Sequence, residues 1–147
     1  MMRGISAAVL VLAVLSGGCA TTLSKEQQAT AKTLDYGGPL TIDYKQAIKD
    51  YFNAQLKDPY SARYEFENTP GRLVYKPGLW EGGGKYTRIL YSGYYATVLV
   101  NAKNSFGAYI GAVRYGFLFK NNEIIRVFSQ ADSGAFYYPD ADKNVLS

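Results

Sequence analysis

The chain reads as an α+β protein in which one amphipathic helix packs on an antiparallel, mostly meander β-sheet, and three stretches predict this. In residues 43–57, DYKQAIKDYFNAQLK, the apolar positions Tyr44, Ala47, Ile48, Tyr51, Phe52 and Leu56 recur at helical spacing and form one stripe. Residues 94–119, YYATVLVNAKNSFGAYIGAVRYGFLF, are the largest apolar block after the leader and read as two strands joined by a short polar loop. A third strand, EIIRVFS at 123–129, returns after Asn121-Asn122, a dipeptide suited to a two-residue hairpin turn. Strands of this kind must bury an apolar face, so the helix and the neighbouring strands are expected to cover the central block.

Residues 1–18 carry one early base, Arg3, and then the run AAVLVLAVL with no acid. That run is short for a membrane span and has the proportions of a secretory h-region. Leu15-Ser16-Gly17-Gly18-Cys19 follows, with small residues immediately ahead of the only cysteine in the chain. The segment resembles the lipobox of bacterial lipoproteins, although its leucine stands four places before the cysteine, with Ser16 at the third. The resemblance implies cleavage after residue 18, lipidation (palmitate) of Cys19, and attachment to the cell envelope. Ala20 in place of Asp after the cysteine implies the outer membrane, facing the periplasm, in a Gram-negative host. A lone free thiol in an exported protein is open to oxidation, and acylation removes that exposure.

Residues 19–40 are expected to be a flexible tether with a turn or two of helix inside it, because SKEQQATAK is polar, has good helix formers and has almost no apolar face with which to dock. Residues 41–147 then form a single domain, which is the expectation for a chain of this size. Asp43 is placed to cap the helix, with Gln46 three residues on, and Asp58-Pro59 ends it. Tyr60, Ala62, Tyr64 and Phe66 alternate with polar residues, which predicts a half-buried strand with Arg63, Glu65 and Glu67 in water. Leu73-Val74-Tyr75 is a short partner, and Gly82-Gly83-Gly84 marks an irregular loop. The pattern resumes at Tyr86, with Ser92-Gly93 as a division or bulge. Ala96, Val98, Val100 and Ala102 face one way, and a strand at 108–119 follows the turn Lys103–Gly107. The tail from Gln130 has no periodicity.

Composition excludes much of catalysis. The net charge is +4, with bases and acids interspersed, so a nucleic-acid partner is not expected. The chain has no histidine, which removes the usual zinc sites and the Ser-His-Asp and Cys-His systems. Gly82-Gly83-Gly84-Lys85 fails as a phosphate loop, because Leu79 occupies the first glycine position and Tyr86 follows the lysine. The carboxylate pairs Glu65/Glu67 and Asp140/Asp142 look solvated, whereas a glycosidase needs one acid in a cleft with a raised pKa. No cofactor, metal or catalytic residue is assigned, and a carboxylate-based hydrolase ranks last among the functions considered.

Two surfaces are candidates for recognition. The loop Asn101–Gly107 either only turns the chain, with asparagine side chains bonded to backbone, Lys103 wet and Phe106 packed underneath, or presents Asn101, Lys103 and Asn104 to a partner. The chain has 14 tyrosines, and Trp80, Tyr86, Tyr91 and Tyr94, flanked by Lys85 and Arg88, are placed to form an exposed aromatic and basic patch. The expected function is a membrane-anchored, non-catalytic binding or accessory domain for an envelope protein or a peptidoglycan-like partner. The alternative is a structural or protective envelope protein that excludes phage or inhibits a wall-degrading enzyme.

The blocks LKDPYSARY at 56–64 and VNAKNSFGAYIG at 100–111 are similar to two blocks found together in a family of small exported bacterial proteins of uncharacterised activity, many of them lipoproteins. The resemblance covers residues 44–128. It implies a compact α+β domain and directs attention to Asp58, Pro59, Ser61, Ala62, Asn101, Lys103, Asn104, Gly107 and Gly111.

Overall fold

A computed structural model of the chain describes residues 22–78, 90–130, 132 and 134–141. The long strand β3 (Tyr91–Asn101) is its axis. On one edge it pairs with β4 (Val113–Lys120), which pairs in turn with β5 (Glu123–Phe128). On the other edge two short strands follow one another. β1 (Arg63–Phe66) lies along residues 98–101 of β3, and β2 (Gly71–Lys76) lies along residues 91–95. A last strand, β6 (Ala135–Tyr137), adds to the outer edge of β2, and every pairing is antiparallel.

The helix α2 (Tyr44–Gln55) forms as its apolar spacing predicts. Asp43 Oδ1 accepts from the amides of Lys45 and Gln46 at 3.0 and 3.1 Å, although the Gln46 side chain turns to Asp50 and completes no capping box. Ile48 and Phe52 are fully buried against Ala96, Val98, Val100, Phe117 and Phe119, so the face that β3 was expected to bury is the face α2 covers. Phe52 and Phe117 meet edge to face at 5.7 Å.

The described part of the expected tether, residues 22–40, contains the helix the sequence suggests but is docked. Residues 25–31 form a short helix, α1 (Lys25–Ala31), with a complete capping box between Ser24 and Gln27. Leu23, Ala31 and Tyr36 are buried with Val74 and pack on Tyr94 and Tyr137, beside α2 on the same face of the sheet. The polar helix docks because its two flanks carry the apolar groups: Leu23 before it and Leu34 and Tyr36 after it. An amphipathicity count over the helix alone passes over all three.

The opposite face curls. Tyr75 on β2, Tyr95 on β3, Leu118 on β4, Phe128 on β5 and Phe136 on β6 converge, with the rings of Phe128 and Phe136 5.1 Å apart although their strands are the two edges of the sheet. Glycine permits this curvature. A Cβ on Gly93 would fall on the Phe119 carbonyl oxygen, and one on Gly116 would fall inside the Tyr95 ring. Ser92-Gly93 therefore does not divide the strand, and Gly93 is the point where the β4 backbone comes closest. The strand β6 closes this cluster from within the tail after Gln130, which has no strand periodicity in the sequence. Its ion pair between Arg72 and Asp140, with Arg72 Nε 2.7 Å from Asp140 Oδ2, ties that end to β2.

Two turns complete the frame. Asn121 and Asn122 both take positive φ, 52° and 66°, as a two-residue hairpin requires. The Asn122 side chain also reaches Thr41, accepting from its amide at 2.9 Å and donating to its hydroxyl at 2.8 Å, which pins the approach to α2. Between β1 and β2, four residues face two on β3, and Asn68 fills the gap. Its Oδ1 accepts from the Thr97 amide at 2.7 Å and its Nδ2 donates to the Tyr95 carbonyl at 3.1 Å, so a side-chain amide stands in for the missing peptide of the ladder.

Candidate functional site

The strand expected at 108–119 begins only at Val113, and residues 102–112 form an extended tip beyond the end of β3, closed by one bridge between Lys103 and Tyr109. Gly107 (φ 78°) and Gly111 (φ 103°) adopt conformations that other residues rarely take. They bracket Ala108–Ile110 and stop it from continuing as strand. Asn104 builds the turn through its side chain, its Oδ1 accepting from the amides of Phe106 at 2.9 Å and Ala108 at 3.2 Å. The Asn104 amide donates to the Ala108 carbonyl at 2.9 Å, and the Gly107 amide donates to the Asn104 carbonyl at 3.0 Å.

The tip is stapled to the segment after α2. Pro59–Ser61 is a single 3-10 turn instead of the start of a strand, because Pro59 has no amide to give a ladder and its fixed φ suits a helical first position. Ser61 Oγ accepts from the Lys103 amide at 3.1 Å, the Tyr109 hydroxyl donates to the Ser61 carbonyl at 3.0 Å, and Lys57 Nζ donates to Ser105 Oγ at 2.9 Å. The guanidinium of Arg63 lies 4.7 Å from the Tyr109 ring centre, and Lys103 Nζ lies 5.5 Å from it.

This hydrogen-bonded platform displays apolar side chains. Tyr60 is 100% exposed, Phe106 94% and Ile110 71%, with Tyr109 behind them at 38%. Phe106, expected underneath the turn, points away from the protein, and Tyr60, expected on the buried face of a strand, is wholly in water. The 3-10 turn and the two glycines rotate these residues off the strand alternation that would have turned them inward, and the bonds from Ser61 to Lys103 and Tyr109 bring the two segments together.

The other candidates separate. Cys19, Trp80, Lys85, Tyr86 and Arg88 lie outside the described residues. Tyr91 is half-buried with its ring 6.4 Å from Tyr75, whereas Tyr94 packs on the opposite face with Val74 and Tyr36, so these two do not share a surface. Asn101 stands at the end of β3 opposite Arg63, and its Oδ1 is buried without a hydrogen-bond partner among the described residues. It lines a shallow cavity of 280 Å³ with Arg63, Tyr64, Glu65, Leu99 and Ala112, on the side of the sheet away from α2. Lys103 and Asn104 belong to the tip; Asn104 is spent on building it.

One described acid of each carboxylate pair is held by an arginine. Glu67 is held by Arg114 through two contacts of 2.6 and 2.7 Å, and this guanidinium keeps its carboxyl below the usual range, the reverse of what a general acid needs. Asp140 is bound to Arg72, so neither is simply solvated as the sequence pattern suggests. Burial pushes the Tyr95 hydroxyl up to about 12 inside the curl. No group of three potential ligands among His, Cys, Asp and Glu comes together among the described residues. No helix among them is long and apolar enough to cross a membrane.

Strand alternation turns Tyr60 inward and places Ile110 on a strand, and for Ile110 one signal in the sequence argues otherwise. Two glycines four residues apart, Gly107 and Gly111, around AYI argue for a turn rather than a strand. No family model, curated protein or solved structure matches the chain.

Proposed function

We propose that this protein is a bacterial cell-envelope lipoprotein whose folded part is a non-catalytic binding or accessory domain, anchored through lipid on Cys19 and making contact through the tip at residues 101–112. The observation that carries the contact surface is the gathering of Tyr60, Phe106 and Ile110, the three most exposed large apolar side chains among the described residues, on one hydrogen-bonded end. An apolar group held in water on a rigid loop loses little entropy on binding and gains by burial. The lone cysteine after a short apolar run supports the anchor.

Residue 19 lies four residues before Leu23, which is docked, so the intervening chain reaches at most about 14 Å. The anchor therefore holds the Tyr91 end of β3 close to the membrane, without a long spacer.

Mass spectrometry of the protein from membranes should find residue 19 as the N-terminal residue and acylated, and Cys19→Ser should release the chain from the membrane fraction. A photo-crosslinking side chain at position 106 should capture an envelope component that the same group at Ile125, on β5, does not. Equal capture from both positions removes the tip as the contact surface.

A further inference from the structure

The reading of the tip as the contact surface leaves its occupant open, and three observations converge on one. The first is composition: Phe106, Ile110 and Tyr60 are exposed, and residues 101–112 contain no acid. Asp58 is the one carboxylate of the adjoining segment 57–63, and Glu65 follows on β1. The second is adjacency: the exposed cations Arg63 and Lys103 lie against the Tyr109 ring and Lys57 bonds Ser105, so positive charge borders the apolar groups, a combination that suits acyl chains beneath anionic headgroups. The third is backbone satisfaction in the turn that carries Phe106. The amides of Lys103, Asn104, Phe106, Gly107 and Ala108 all donate within the protein, to Ser61 Oγ, the Ala108 carbonyl, Asn104 Oδ1, the Asn104 carbonyl and Asn104 Oδ1 respectively. A protein partner does not require this, because it can supply acceptors of its own. Hydrocarbon supplies none, so a loop that enters it must bring its hydrogen bonds with it.

We infer that the tip inserts Phe106 and Ile110 into the surface of an anionic lipid bilayer, with Tyr60 and Tyr109 at headgroup depth and Lys57, Arg63 and Lys103 against lipid phosphates. Tip and docked N-terminal segment lie toward opposite ends of β3, whose eleven residues span at most about 33 Å. If both attach to one bilayer, the long axis of the sheet lies along it.

The test uses the chain from residue 19 onward with Cys19→Ser, which keeps every described residue and removes any acyl contribution. It should sediment with vesicles of phosphatidylethanolamine and phosphatidylglycerol, weakly with phosphatidylcholine alone, and less as salt is raised. Phe106→Ala should weaken this binding about tenfold, and Lys103→Gln about fivefold. Ile125→Ala, on an exposed side chain of β5, should leave it unchanged. The fluorescence of Phe106→Trp should be quenched by brominated lipid beyond the wild-type level, which a merely electrostatic contact would not produce. Equal binding by the Phe106→Ala,Ile110→Ser variant, or no binding to either vesicle, overturns the proposal. So does capture of a protein from position 106 without vesicle binding, which assigns the tip to that protein. Cys19 found unmodified would sink the lipid anchor while leaving the vesicle result standing, so the two failures can be told apart.

Discussion

The two ends of β3 are built on opposite principles. At the Tyr91 end both faces are covered: Tyr94 packs toward α1 and Val74, Tyr95 packs into the curl with Phe128 and Phe136, and Ser92 and Tyr95 are almost out of water. At the Asn101 end only the α2 side is covered, and the chain runs on into a tip whose apolar groups are outside and whose polar groups are spent on holding it together. One end places hydrophobic surface where it stabilises the fold. The other leaves it where folding gains nothing from it, which is why the tip is read as a contact surface.

That contrast can be broken or sharpened by substitution. The largest effect is expected from Phe117→Ala, which empties a fully buried site facing Phe52 and should cost about 4 kcal/mol of stability in urea unfolding. Gly93→Ala should cost about 3 kcal/mol by the same measurement, since its methyl meets a backbone oxygen that cannot move without parting β3 from β4. Asn68→Ala should cost about 2 kcal/mol, because it strips partners from the Thr97 amide and the Tyr95 carbonyl in the interior of the ladder. A loss below about 0.5 kcal/mol would mean that water replaces the amide.

A smaller effect concerns pH. Glu67 has its carboxyl depressed below its ordinary value of 4.5 by the hydrogen bonds from Arg114. Its contribution is therefore complete above 4.5 and disappears as pH falls through the lower value it takes in the fold. Stability measured downward from pH 5 should fall less steeply in Glu67→Gln than in the wild type, and added salt should shrink the difference. At the bottom of the scale stands Phe106→Ala, expected to leave the unfolding midpoint unchanged within about 0.5 kcal/mol. A large loss there would show that the ring supports the fold and would remove the contrast between the two ends.

The parts of the fold that were legible beforehand are those set by local chemistry. The stripe from Tyr44 to Leu56 with Asp43 ahead of it specifies α2, the alternation Ala96, Val98, Val100 specifies the face it covers, and Asn121-Asn122 specifies its turn. Legibility failed where neighbours decide. Helix α1 carries no apolar stripe and is docked by Leu23 and Tyr36, which lie outside it. The strand β6 has no periodicity and exists because the β2 edge and the ring of Tyr75 receive it.

The candidate site followed the same division. The loop at 101–107 is recognisable from its asparagines and glycine, and its two readings, a turn built by asparagine side chains or a recognition tip of Asn101, Lys103 and Asn104, divide in the structure. Asn104 is consumed in building the turn, and Phe106 and Ile110 carry the exposed surface.

The sequence by itself determined the helix, the central apolar strands, the hairpin between β4 and β5, and the absence of histidine chemistry, since each depends on residues near one another in the chain or on composition alone. Only the tertiary structure decided which apolar side chains are left outside. Tyr60 and Ile110 are as greasy as their buried counterparts, and what exposes them is a proline turn and two glycines meeting in space across more than forty intervening residues.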